Sequence, residues 1–153
     1  MNAKDAHDIR KKLVDLCREA QTKTVDSSKA AMNEAQLAFN DYGPNKDRYD
    51  SFRDQLIGRR DMLAGQYQKA LSELNVIDKI ELKEYRNTVE FGAVVISDVC
   101  RLFVAISAGK IELDGQYYHA ISPAVPLYKA MEGLKKGERF EFNGKKHQII
   151  DLF

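Results

Sequence analysis

The residue that most constrains this chain is Pro44. It is the only proline up to about residue 75, and it sits in Asp41-Tyr42-Gly43-Pro44-Asn45, a turn composition inside a stretch dense in Ala, Leu, Gln, Lys, Arg and Asp. Before the turn, small or apolar residues recur at Ala6, Ile9, Leu13, Cys17, Ala20, Thr24, Ser27, Ala31, Ala35 and Ala38, at spacings of three and four. After it come Tyr49, Phe52, Leu56, Leu63, Tyr67, Ala70 and Leu74. Both series are helical seams too narrow for a globular bundle. Folding them back about Gly43 and Pro44 pairs Leu13 with Leu74, Cys17 with Ala70, Ala20 with Tyr67, Thr24 with Leu63, Ala31 with Leu56, Ala35 with Phe52, and Ala38 with Tyr49. Small faces large in most layers, which lets two helices approach closely without a void. An antiparallel helical hairpin over residues 1–76 is expected, with its tip at 41–50. At a rise of about 1.5 Å per residue, helices of about 35 residues make a rod on the order of 50 Å long.

From about Asn87 the period changes to short β-rich runs: Thr88–Ile96, Val99–Ser107, Gln116–Ile121, Glu138–Phe142 and Lys146–Leu152. Asn143-Gly144 is a strong hairpin signal, because both residues tolerate positive φ. Pro126 to Gly133 reads as one short helix, with proline at its first position and glycine past its end. Residues 77–153 are therefore expected to form a second domain, an antiparallel sheet with a helix laid on it. The fold class is α+β.

Charge excludes one class of partner. With 24 basic and 23 acidic residues the formal net charge is +1, and neither half is a polycation, so recognition of naked duplex DNA through bulk charge has little support. Cys17 and Cys100 are too few and too far apart for a disulfide framework or a zinc ribbon, and both are expected to be buried reduced thiols of a cytoplasmic protein. No signal peptide or membrane span is expected, since no run of about 18 apolar residues occurs.

Catalytic constellations are poor. His7, His119 and His147 are isolated, Ser107-Ala108-Gly109-Lys110 lacks accompanying motifs, and there is no phosphate loop or Gly-x-Ser-x-Gly. A self-contained enzyme is not expected. One cluster remains at the hairpin tip: Asp41, Asp47, Asp50 and Asp54, interleaved with Lys46, Arg48 and Arg53. Carboxylates there either cap a helix start or are carried into the cleft of another molecule. Hard oxygen ligands suit Mg²⁺, which takes one or two carboxylates and keeps water or phosphate elsewhere. Two or three mobile aspartates make a poor cage, so no metal is expected on the free protein.

The chain resembles the bacterial Gre family of transcript cleavage factors. The resemblance rests on Asn75-Val76-Ile77-Asp78, similar to the family's Val-Ile-Asp stretch, and on Val89-Glu90-Phe91-Gly92-Ala93-Val94-Val95, similar to its Val-x-Phe-Gly-Ala-x-Val strand. It rests further on the run from Ile121 to Glu138, which follows the family's Ile-Ser-x-x-Ser-Pro-(Ile/Leu)-x-x-Ala-Leu-x-Gly-Lys-x-x-Gly-Asp pattern. The resemblance implies an FKBP-like C-terminal domain docking on RNA polymerase, with Pro126, Leu127, Lys129 and Gly133 as docking residues, and a monomeric factor. The coiled coil then enters the secondary channel, and RNA and DNA are met only through the polymerase. Family cleavage factors carry Gly-Asp-x-x-Glu-Asn-x-Glu-Tyr at the tip, where this chain has Gly43-Pro44-Asn45-Lys46-Asp47-Arg48-Tyr49-Asp50. Asp47 matches the second carboxylate and Asp50 the third acidic place, while Pro44 replaces the first and Arg48 the asparagine. The resemblance implies that Asp47 and Asp50 act in trans in cleavage of backtracked RNA, with Asp47 reaching the polymerase's Mg²⁺; Asp41, on the other side of the turn, is the third candidate, standing in for the lost first carboxylate. The loss at Pro44 leaves open a channel-occupying inhibitor. Two other classes compete: an FKBP-like prolyl isomerase, with aromatics such as Phe91, Phe103, Tyr117, Tyr118, Phe140 and Phe142 lining a pocket, and a coiled-coil chaperone or adaptor.

Overall fold

The computed structural model describes residues 2–83 and 85–153. Its elements, in order, are helices α1 (Ala3–Tyr42) and α2 (Ser51–Asp78), strands β1 (Val94–Ser97), β2 (Arg101–Val104), β3 (Gly109–Leu113) and β4 (Gln116–Ile121), helix α3 (Pro126–Met131), and strands β5 (Arg139–Phe142) and β6 (Lys145–Leu152). The chain divides into two compact units. One is Gln21–Asn75; the other joins the chain up to Ala20 with Val76–Phe153.

The helical unit is an antiparallel pair whose seam differs in phase from the expected one. Gln21 and Val25 are buried, whereas Ala20, Thr24, Ser27 and Ala38 are exposed. Gln21 occupies an interior position because its amide nitrogen donates to the Ala70 carbonyl at 2.9 Å, so a polar side chain is satisfied inside the seam. That contact also corrects the register. Ala70 faces Gln21 rather than Cys17, and Ala35 lines one small hollow with Leu56 rather than facing Phe52, about one helical turn further along. A slip of one turn keeps both seams facing each other, which is why spacing alone did not fix it. Tyr49 precedes α2 and lies outside the seam. Gly58 and Gly65 sit in α2 with open space where a Cβ would project.

In the other unit a six-stranded sheet has the order β3-β4-β2-β1-β6-β5. It is mixed rather than wholly antiparallel, since β2 and β4 run parallel with Leu102 beside His119 and Val104 beside Ile121. The reason is β3, which was not expected from the sequence. The chain leaves β2, forms the sheet edge as β3, and returns through Asp114 (φ 52°) and Gly115 (φ 77°) to insert β4 between them. The expected strand from Thr88 becomes regular only at Val94. The predicted hairpin at Asn143-Gly144 does join β5 to β6, with both residues at positive φ.

Helix α3 starts at Pro126 after Val125, which offers no side-chain cap. It is held instead by packing: Tyr128 and Met131 enter a core with Val95, Leu102, Val104, Phe140 and Ile149. The same interior is reached by the segment before β1, where the Val89 amide donates to the Leu134 carbonyl and the Gly133 amide donates to the Val89 carbonyl. At the start of α1, Asn2 caps the helix by accepting the Asp5 amide at 2.8 Å. Arg10 is buried where Ile9 was the expected seam residue, and its guanidinium donates to the carbonyls of Gly92 and Glu81 at 3.2 and 2.7 Å. Gly92 has φ +87°, and a Cβ there would lie 3.3 Å from Ile80 Cγ2, so this close approach needs glycine. Both cysteines are free thiols: Cys17 is buried, with its pKa raised by burial to about 11, but Cys100 is only half-buried.

Candidate functional site: the hairpin turn

The turn between α1 and α2 is built by few groups. Gly43 leaves α1 with φ +78°, a conformation costly for a side chain, and its amide still bonds back to the Phe39 carbonyl at 3.3 Å. Asp50 stands one residue before α2 and accepts the Arg53 amide at 3.1 Å, the geometry of a helix N-cap. The same carboxylate accepts the Lys46 amide at 2.9 Å and the Tyr42 hydroxyl, which lies 3.0 and 2.8 Å from its two oxygens. Arg53 closes the ring by donating from Nε to the Gly43 carbonyl at 3.0 Å. Tyr42 packs its ring against Phe52 at 5.2 Å, and Phe39 lies under the guanidiniums of Arg53 and Arg60 at 4.8 and 4.6 Å.

These contacts have an electrostatic consequence. The Asp50 carboxyl is held below its ordinary range, first by the Lys46 amide and then by the Arg53 amide, the Tyr42 hydroxyl and the Arg53 charge, against some loss of hydration. The Tyr42 phenol is pushed up by loss of hydration, by its bond to Asp50 and by the charges of Asp50 and Asp47.

The three acidic candidates are therefore not equivalent. Asp50 is committed through both oxygens to the shape of the turn. Asp47 is exposed and uses one oxygen to accept the Tyr49 amide at 2.8 Å, an Asx turn. Asp41 is exposed in the last turn of α1. Among the described residues, no group of three or more His, Cys, Asp or Glu is placed to hold a metal ion. The donor set at the turn does not fit resident Mg²⁺, since the best-placed carboxylate is spent on four hydrogen-bond contacts within the protein. Tyr42 and Arg53 were missed as turn-builders by sequence reasoning. The signal was present in Asp50-Ser51-Phe52-Arg53, where an Asp stands three residues before the amide it caps.

The residues expected to dock a partner lie in the sheet unit. Pro126 and Lys129 are exposed, three apart on α3, and so share a helix face. Leu127 is half-buried against the core, and Gly133, at φ +77°, ends the α3 segment with its bond to Val89. Of the aromatics considered for an isomerase pocket, Phe103, Tyr118 and Phe140 are buried, and Tyr128 and Met131 fill the space between α3 and the sheet.

No family model matches the chain, and no curated protein does. Among solved structures it is similar to one described as the transcription factor Gfh1, at 15% identity over 90% of this chain and 93% of that chain, with a TM-score of 0.36. It is also similar to GreA factor homolog 1 (Gfh1) of Thermus thermophilus, at 15% identity over 89% of this chain and 94% of that one, with a TM-score of 0.34. No helix among the described residues is long and apolar enough to cross a membrane.

Proposed function

We propose that this protein is a Gre-type transcription factor that binds RNA polymerase and places its helical turn in the secondary channel as an occupant, without supplying a metal-activating carboxylate pair. Support for the partner comes from the motifs at 75–78, 89–95 and 121–138 and from the resemblance they carry. The observation that carries the choice between occupant and cleavage factor is the state of Asp50. With that carboxylate locked into the cap and Pro44 standing at the first acidic place, Asp47 is, among the described residues, the one carboxylate in 43–50 that keeps an oxygen out of the turn's hydrogen bonds. A single carboxylate is at the low end of what Mg²⁺ takes from protein. The fit to an accessory factor is otherwise structural: the turn is held by the hydrogen bonds of Asp50 and Arg53, and the Arg48 and Tyr49 side chains are exposed.

A backtracked elongation complex distinguishes the outcomes. Neither the wild type nor Asp47→Ala is expected to shorten the RNA, while both slow nucleotide addition. RNA shortening by the wild type that disappears in Asp47→Ala would return the protein to the cleavage factors, with Asp47 positioning the polymerase's Mg²⁺. Failure of the full-length chain to co-purify with core polymerase would remove the partner altogether.

A further inference from the structure

Strand β3 is one edge of the six-stranded sheet, so one side of its backbone has no strand beside it. Asp114 and Gly115 make a tight turn that closes on the Leu113–Gln116 pair, both turn residues having positive φ. Hydrogen-bonded pairs alternate along an antiparallel ladder. Leu113, Ile111 and Gly109 therefore turn their amides and carbonyls toward β4, while Lys110 and Glu112 turn theirs to the open edge. Beyond the strands, neither Lys110 nor Glu112 takes part in a backbone hydrogen bond among the described residues. Their side chains are exposed and alternate with buried Ile111 and Leu113. Within the hairpin Lys110 stands beside His119 and Glu112 beside Tyr117, so neither charge meets its opposite there. The Lys110 ammonium lies over the Tyr117 ring at 3.9 Å, and among the described residues neither Lys110 nor Glu112 forms an ion pair. The other sheet edge, β5, carries Arg139 and Glu141 in the same alternation, but there Glu141 already faces Lys146 on β6.

We propose that β3 pairs edge to edge with β3 of a second copy of this chain, antiparallel about a twofold axis at Ile111. In that register Lys110 of each copy lies opposite Glu112 of the other, and these are the residues whose backbone groups point outward, so hydrogen bonding and charge are matched at the same positions. Ile111 meets its counterpart at the intervening position, where side chains come closest, and the buried face of the sheet continues across the axis. Sliding the strands by two residues sets Lys110 against Lys110 or Glu112 against Glu112, which fixes the register. A lysine on an edge ordinarily repels other strands. Here the glutamate two residues on turns that repulsion into selection for a strand with the complementary order. Both open edges are consumed in the pairing, so assembly stops at a dimer. The proposal stands apart from the polymerase reading and does not depend on it.

Sedimentation velocity of the full-length chain from about 10 μM to about 1 mM tests it, since a contact confined to Lys110, Ile111 and Glu112 is far smaller than a standard interface and gives a weak dimer. The wild-type sedimentation coefficient should rise toward that of a dimer. Lys110→Glu and Glu112→Lys, each with a wild-type far-UV circular dichroism spectrum, should associate at least about tenfold more weakly, because both facing pairs become like-charged. An equimolar mixture of the two variants should recover association, since glutamates at 110 and 112 of one chain then face lysines at 112 and 110 of the other. In the wild type, amide exchange at Lys110 and Glu112 should slow as concentration rises, while Ile111, already bonded to β4, is unchanged. A wild type that stays monomeric at about 1 mM overturns the proposal, as does association kept by both variants or a mixture that fails to recover it. Loss of association in Arg139→Glu but not in Lys110→Glu also overturns it and assigns the contact to β5. Should either β3 variant fail to fold, wild-type exchange at Lys110 and Glu112 that does not respond to concentration overturns it instead.

Discussion

The two units of this molecule are stabilised in different ways. The sheet unit has an interior: Phe103, Phe153, Leu13, Ile77, Met131 and Ile149 are all essentially inaccessible to solvent. In the helical unit the buried residues are Gln21, Val25, Ala35 and Ala70, all but one of the apolar ones small. Of its large side chains, Leu37 and Met62 are exposed, while Leu56, Leu63 and Tyr67 are half-buried. The first unit gains from burying apolar area, worth about 25 cal/mol per Å². The second depends on a narrow seam of small residues, a buried amide bond and the polar ring of its turn. Such a pair spends little on a core and leaves its outer surface free for contacts with something else.

The largest expected effect breaks the sheet unit. Phe103→Ala removes a ring with no solvent exposure and should cost about 3–5 kcal/mol, read as a lowered midpoint in urea. Insensitivity there would mean that the sheet interior does not govern stability. The helical unit should respond in the opposite direction to a change that adds almost nothing. Gly58→Ala and Gly65→Ala place a methyl in open space on α2 and should each stabilise by about 1 kcal/mol, read from slowed amide exchange within 51–75. No slowing would show that backbone entropy does not limit this unit.

The smallest effect is confined to the turn. The folded pKa of Asp50 lies below its unfolded one, so its contribution is complete above the unfolded value, about 3.9 for a free aspartate, and is lost as pH falls through the lower folded value. Below that point the amide resonances of Lys46 and Arg53 should move toward those of Asp50→Ala, while far-UV circular dichroism changes little. Loss of helicity across the whole unit at the same pH would show that the turn, and not the seam, holds the pair together.

Much of the arrangement was legible beforehand, for reasons that differ by element. Pro44 with Gly43, the proline start of α3 and Asn143-Gly144 are local signals, because each rests on φ preferences of one or two residues. The seam was legible as a period but not as a phase. A polar Gln21 was passed over in favour of Ala20, although a glutamine that bonds a backbone carbonyl is at home inside, and Arg10 was passed over for Ile9 in the same way. Strand β3 was hidden because Lys110-Ile111-Glu112-Leu113 alternates over only four residues between two glycine turns, and the parallel neighbour of β2 followed from that omission. At the turn, the acidic cluster was visible, but composition does not separate a carboxylate facing solvent from one facing amides. The structure makes that separation at Asp47 and Asp50.

Asp50 ties conformation and reactivity into one side chain. A mutational route from this protein toward a metal carrier cannot begin by recruiting Asp50, since every oxygen lent to an ion is taken from the start of α2. The open route runs through residue 44, which is exposed and has no amide to forfeit, so an acid gained there adds a ligand and leaves the cap standing.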